Sequence, residues 1–226
     1  MGYSNVPMYL PPQFKAVGDA HAIALMRAYP LASLISTGTD GFPLVTHLPL
    51  HILTPEGAGS PIQLLGHVAR ANPHWRLLQP RGGAPAEALV SFMGPHAYMT
   101  PRVYPDLSRV PTWNYLAVSA KVSVNLVDDA EAKDRLLKKL IEDHDPAYAP
   151  QWVSLGVDFQ HKMLAGIVAF ELTVIDLQCK LKLNQHRPEA FAKMRELYAA
   201  GNENERALAA WMDKLGMQAQ TSHTKT

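Results

Sequence analysis

Residues 61–75 read PIQLLGHVARANPHW. An apolar, strand-like run ends in two histidines, an arginine, an Asn-Pro pair and a tryptophan. Alternate side chains on a strand share a face, so His67 and Ala69 point one way and Val68 and Arg70 the other. Asn72 followed by Pro73 reads as a cap and a first helical residue. The stretch therefore predicts a strand that hands over to a short helix, NPHWRLLQP, held between two prolines. Free backbone N–H groups at such a start favour an anion, and Arg70 supplies a cationic fork two residues earlier. These parts could form a small phosphate cradle. The plainer alternative is that Asn72 only caps the turn and Arg70 is a solvated side chain; the residues leave both readings open.

Working outward, the neighbouring segments are also strand-like. LASLIST (31–37) and PLVTHLPLHIL (43–53) flank GTDGF, a glycine-containing turn of the hairpin kind. EALVSFMGPHAYMT (87–100), WNYLAVSAKVSVNLV (113–127) and MLAGIVAFELTVIDLQCKLKL (163–183) continue the β pattern, the last as two strands or one bent one. Helices are predicted in VGDAHAIALMRAYP (17–30) and DDAEAKDRLLKKLIEDHD (128–145), and in two tail segments, PEAFAKMRELYAA (188–200) and ENERALAAWMDKLG (203–216). Strands cluster instead of alternating with helices. That order predicts an α+β, mostly β fold: an antiparallel β-barrel with peripheral helices, not a doubly wound parallel sheet. One seam is visible near Arg187, giving a barrel domain at 1–187 and a helical C-terminal extension at 188–226 that packs on the barrel or on a second subunit.

Composition excludes several classes. The single cysteine, Cys179, makes an intrachain disulfide impossible and fits a reducing cytoplasm. The first fourteen residues lack the charged start and apolar run of a signal peptide, and no stretch is long and apolar enough to span a membrane. The net charge of +1 announces no nucleic-acid surface. Charge is uneven, though: from Gly57 to Ala86 there is no acidic residue, while Arg70, Arg76 and Arg81 are present. Ten histidines invite a metal site. His47 and His51 lie four residues apart on one strand face, roughly 13 Å, too far to share one ion without a bend. No metal site is predicted. P-loop, dinucleotide and nucleophile-elbow motifs are absent.

A second cluster is aromatic. GPHAYMTPRVY (94–104) and VPTWNY (110–115) carry Tyr98, Tyr104, Trp113 and Tyr115 among prolines. Stiff loops bearing rings can wall a flat cofactor or plug a barrel mouth.

Seven pieces in order resemble the PaiB family of FMN-binding negative transcriptional regulators: MYLPPQF (8–14), PLASLIS (30–36), THLPL (46–50), GHVARANPHW (66–75), FMGPHAYMTPRVY (92–104), VPTWNY (110–115) and KLNQHRPE (182–189). The resemblance implies an FMN-binding split barrel, related to pyridoxamine-phosphate-oxidase-like proteins, that works as a homodimer with FMN at the subunit interface. By the same resemblance His67, Arg70 and Asn72 would lie near the flavin phosphate or ribityl chain, with Thr46 and His47 on the neighbouring strand. Trp113, Asn114 and Tyr115 would pack near the isoalloxazine or the dimer seam, and Lys182 and Gln185 would reach the cofactor from the late strand. The chain departs from the family pattern at Val118-Ser119, where Val-His is usual, and at Asn184 and His186 in the late motif. Direct DNA binding is not supported by the tail, whose basic residues are balanced by acidic ones. The alternative to a regulator is a flavin-dependent oxidoreductase for a small substrate, with the flavin carrying the chemistry.

Overall fold

The hairpin around Gly41 sets the first strand pairing. Gly41 takes φ +82°, a conformation glycine reaches without a Cβ penalty. Strands β1 (Leu31–Thr37) and β2 (Pro43–Pro49) then pair antiparallel, from Thr37 opposite Pro43 to Leu31 opposite Pro49. A computed structural model describes residues 8–53, 57, 59–106 and 108–217. Residues 1–7 of the stretch read for a signal peptide lie outside them.

After Leu50 the chain enters a two-residue strand, β3 (His51–Ile52), and continues to β4 (Gln63–Ala69). Three long strands follow: β5 (Ala86–Met99), β6 (Thr112–Val127) and β7 (Ile167–Lys182). The sheet order is β2-β1-β5-β6-β7-β4-β3. Its two edges, β2 and β3, are consecutive in the chain and separated only by Leu50. A sheet whose edges are joined by one residue must roll up on itself. Gly66 of β4 marks how tightly: a Cβ there would sit 2.5 Å from Leu50 Cδ2, 3.0 Å from Phe170 and 3.3 Å from Leu48. Where register is defined, pairing is antiparallel, as between β4 and β7, from Gln63 opposite Thr173 to Ala69 opposite Ile167. This is the antiparallel barrel with peripheral helices that the strand order predicts.

Helix α1 spans Ala20–Ala28 and α2 spans Ala130–His144, the latter capped by Asp129. Helix α2 lays Leu136 and Leu140 on Leu65, Val127 and Ala169 of the barrel. Two helices that the sequence pattern does not announce, α3 (Ala149–Ser154) and α4 (Val157–Ala165), lead into β7. The apolar start of the long run, Met163 to Ala165, is therefore helical, and the strand begins at Ile167 as a single element. The tail forms α5 (Phe191–Ala199) and α6 (Glu203–Lys214), as predicted. Among the described residues no helix is long and apolar enough to cross a membrane.

Contacts divide the chain into two units. The first holds Met26–Phe92 and Ser119–Leu177: β1 to β4 with the adjoining parts of the long strands, and α2 to α4. The second holds Met8–Leu25, Met93–Val118 and the chain from Gln178 onward. In the second unit α5 packs on β5 and β6, through Tyr198 at the Tyr98 carbonyl and at Asn114, and α6 packs on α5. The segment before α1 runs along the end of β7, with the Ala16 N–H donating to the Cys179 carbonyl at 3.0 Å.

Candidate functional site

Five of the ten candidate residues lie in the first unit. Thr46 and Asn72 close a polar ring with a residue the sequence did not single out, His74. The Asn72 amide donates to Thr46 Oγ1 at 3.1 Å, the His74 N–H donates to Asn72 Oδ1 at 3.0 Å, and Thr46 Oγ1 lies 2.8 Å from His74 Nδ1. His74 is fully buried, and burial holds its pKa below the usual histidine value because the charged ring would lose its water. The element after Asn72 is a six-residue 3-10 helix, Pro73–Leu78. Its first turn is capped by Asn72, as the Asn-Pro pair predicts.

Arg70 is likewise engaged by its own barrel. Its Nε donates to the Ala165 carbonyl at 3.0 Å and one Nη to the Ile167 carbonyl at 3.4 Å, with Asp128 at 3.6 Å. Trp75 braces the same turn by donating its indole N–H to the Arg70 carbonyl at 3.0 Å. His47 is exposed and meets Ser33 across the β1–β2 pair at 3.0 Å. His51, the other half of the HxxxH spacing, pairs instead with Asp143. His67 is half-buried, its pKa is lowered by burial, and its buried Nδ1 has no partner among the described residues. The buried Nε2 of His74 is likewise without a partner among the described residues.

The second unit holds the other five. Trp113, Asn114 and Tyr115 follow one another on β6, so strand alternation splits them. Asn114 is 0% exposed and points at α5, donating to Tyr198 Oη at 3.0 Å and to Met194 Sδ at 3.2 Å. It is a core residue with no surface to offer a ligand. Trp113, 48% exposed, looks the other way and meets two β5 residues, His96 and Tyr98. The Trp113–His96 ring centroids are 5.9 Å apart at 31°, and the Trp113–Tyr98 pair is 6.3 Å apart at 65°.

Cations border these rings. Lys182 sits 5.7 Å from the Tyr115 ring centroid and Lys180 5.2 Å, and Lys180 also reaches the Tyr9 carbonyl at 2.9 Å. The Lys182 ammonium donates to Thr112 Oγ1 at 2.7 Å and to the Trp113 carbonyl. Burial, and then the charge of Lys180, hold its pKa below the usual lysine value. Lys182 also lines an open cavity of about 340 Å³ with Tyr104, Arg109, Thr112, Asn184 and His186. Gln185 is spent on the turn after β7: its Oε1 accepts from the Leu183 N–H at 3.0 Å and its amide donates to the Leu181 carbonyl. The adjoining Asn184 takes φ +66° and donates to Tyr104 Oη at 2.6 Å. His96 and Tyr98 were legible as a pair two residues apart on a strand; His74 and Lys180 carried no such signal.

A sheet face of exposed rings edged by Lys182, with the buried Lys180 behind it, fits a flat, conjugated, anionic molecule. Stacking suits the first property and the Lys182 ammonium the second. Such a face on a rolled antiparallel barrel defines the class: a split-barrel flavoprotein. The chain belongs to the family described as "Putative FMN-binding domain", whose model matches residues 8–176, and FMN is the cofactor of that domain. The chain is 31% identical over 217 residues to the Protease synthase and sporulation protein PAI 2 of Bacillus subtilis, covering 93% of this chain and all of that one. Among solved structures, the flavocytochrome Anf3 of Azotobacter vinelandii superposes with a TM-score of 0.55 at 15% identity, over 74% of this chain and 68% of that one. The FAD and heme binding protein of Mycobacterium smegmatis does so with a TM-score of 0.55 at 18% identity, over 75% and 74%. At these identities the two structures establish the fold alone.

Proposed function

We propose that the protein is an FMN-binding homodimer that acts as a PaiB-like negative regulator of transcription, with the flavin held where two subunits meet. The observation that carries this reading is the open face of the second unit, where Trp113 and Tyr115 lie beside Lys182. The rings take the isoalloxazine and the ammonium takes the phosphate. Thr46, Asn72 and Arg70 keep the 66–75 turn in shape, and His67 offers its unused nitrogen to a ligand or a neighbouring subunit. Asn114 and Gln185 support the face from behind and from its end.

The bound flavin would supply redox chemistry that no residue of the chain can perform. One observation favours a second reading, a flavin-dependent oxidoreductase. The tail helices are not a basic DNA reader: Arg195 is held by Asp213 through two bonds of 2.5 and 2.7 Å, and Leu208, Trp211 and Met212 are buried. Regulation, on the first reading, therefore runs through the flavin or through another surface of the dimer. Titrating the dialysed protein with FMN tests what the two readings share. A saturable spectral change at one flavin per chain supports them, and a protein indifferent to FMN at about 100-fold protein excess removes both. NAD(P)H oxidation by the loaded protein then separates enzyme from regulator.

A further inference from the structure

We propose that His96 is the hydrogen-bond donor that reads the polar edge of the flavin ring, and that Trp113 fixes the imidazole tautomer needed for it. The inference rests on the FMN reading above and adds to it a residue that sets how tightly, and with what spectrum, the ring is held. His96 and Tyr98 stand two apart on β5 and share its exposed face, while Ala97 and Met99 between and beyond them are buried. Trp113 stands beside them on β6, and Asn114 and Leu116 behind it are buried. The three rings thus share the solvent side of the sheet as one platform, with His96 tilted 31° to the Trp113 plane and Tyr98 set edge-on to it as a wall.

The Trp113 indole N–H donates to His96 Nδ1 at 3.3 Å. An indole nitrogen can only donate, so Nδ1 must accept. A neutral imidazole whose Nδ1 lone pair is taken carries its proton on Nε2. No acceptor for that Nε2–H is found among the described residues. The platform therefore offers an apolar surface for a fused ring and one fixed N–H donor. The isoalloxazine matches both needs, since its pyrimidine portion carries carbonyl oxygens and ring nitrogens that accept. A plain hydrophobic partner would leave the donor unanswered, and an unattached phosphate would leave the rings unused.

The test uses the full chain, dialysed free of flavin, with FMN titrations followed by flavin fluorescence and by the visible band. His96→Phe keeps a ring and deletes the donor; His96→Gln keeps an amide N–H. The expected result is FMN binding about 10-fold weaker in His96→Phe, with a displaced visible band, and recovery to within about 3-fold in His96→Gln. Because His96 is exposed, both variants should melt with the wild type. Two-bond 15N–1H correlations on the flavin-free protein read the tautomer independently: Nε2–H in the wild type, a mixture in Trp113→Phe. Wild-type binding with an unchanged affinity and band in His96→Phe would overturn the inference and leave the FMN reading standing, as would an Nδ1–H tautomer in the wild type. Loss of the dimer with unchanged FMN affinity would assign the platform to the second subunit and overturn it too. A wild type that binds no FMN would sink the reading on which it rests.

Discussion

Replacing Lys182 with Met removes one charge from the open face and keeps most of the stem. In the protein alone, two acceptors lose a donor, Thr112 Oγ1 at 2.7 Å and the Trp113 carbonyl. Both lie at the start of β6, where Thr112 is only half-buried, so water can replace the ammonium. The cost to folding should stay within about 1 kcal/mol. Toward FMN the loss is larger, because a charge-assisted bond to a phosphate is worth about 1.5–3 kcal/mol, or roughly 10- to 150-fold in affinity. Lys182→Arg should recover much of this loss. Two further signatures belong to the charge itself. Raising salt from about 0.05 to 0.5 M should weaken wild-type binding more than binding to Lys182→Met, since partly exposed charges are screened. Burial and Lys180 lower the Lys182 pKa, so wild-type affinity should begin to fall at a pH below that of an ordinary lysine as the ammonium loses its proton. The assay is FMN fluorescence quenching at several salt concentrations and pH values. A Lys182→Met protein that binds FMN with wild-type affinity and salt response would refute the assignment.

Three other outcomes follow from the geometry. Gly66→Ala forces a Cβ to within 2.5 Å of Leu50 and 3.0 Å of Phe170, both buried, and should cost about 1–3 kcal/mol, lowering Tm by roughly 2–12 °C in a thermal melt. Arg70→Ala should lose about 1–2 kcal/mol in urea unfolding, by freeing the Ala165 and Ile167 carbonyls, while FMN affinity stays within about 2-fold. The pKa values of His67, His74 and His186 are all lowered by burial, so the unfolded chain takes up protons first: stability should be full above about pH 6.5 and fall as pH drops below it, with His74→Gln reducing the slope in urea titrations.

Much of the barrel was legible because its signals are local. Alternation in LASLIST and the β-branched run after Trp113 are properties of a few adjacent residues. Helices α3 and α4 were hidden because Pro150 and Gly156 look like loop residues. Proline in fact occupies the first turn of α3, where its missing N–H costs nothing, and Gly156 is the cap of α4. Met163 to Ala165 read as strand because apolar composition alone does not separate a helix end from a strand start. The site divides along the same line. The period of two already separates Asn114 from Trp113 and Tyr115, and puts His96 with Tyr98. The partners of Arg70 lie 95 and 97 residues away, and the Thr46 hydroxyl beside the His74 ring comes from β2, 28 residues earlier. Those facts belong to tertiary structure, and spacing could not reveal them.

The arrangement of rings and lysines on the second unit is tested most directly by a crystal structure of the protein with FMN. The account predicts an isoalloxazine in van der Waals contact with Tyr98 and Trp113, its acceptor edge at His96 Nε2 and its phosphate near Lys182. Flavin density seated on the 66–75 turn, with the Trp113 face bare, would contradict it.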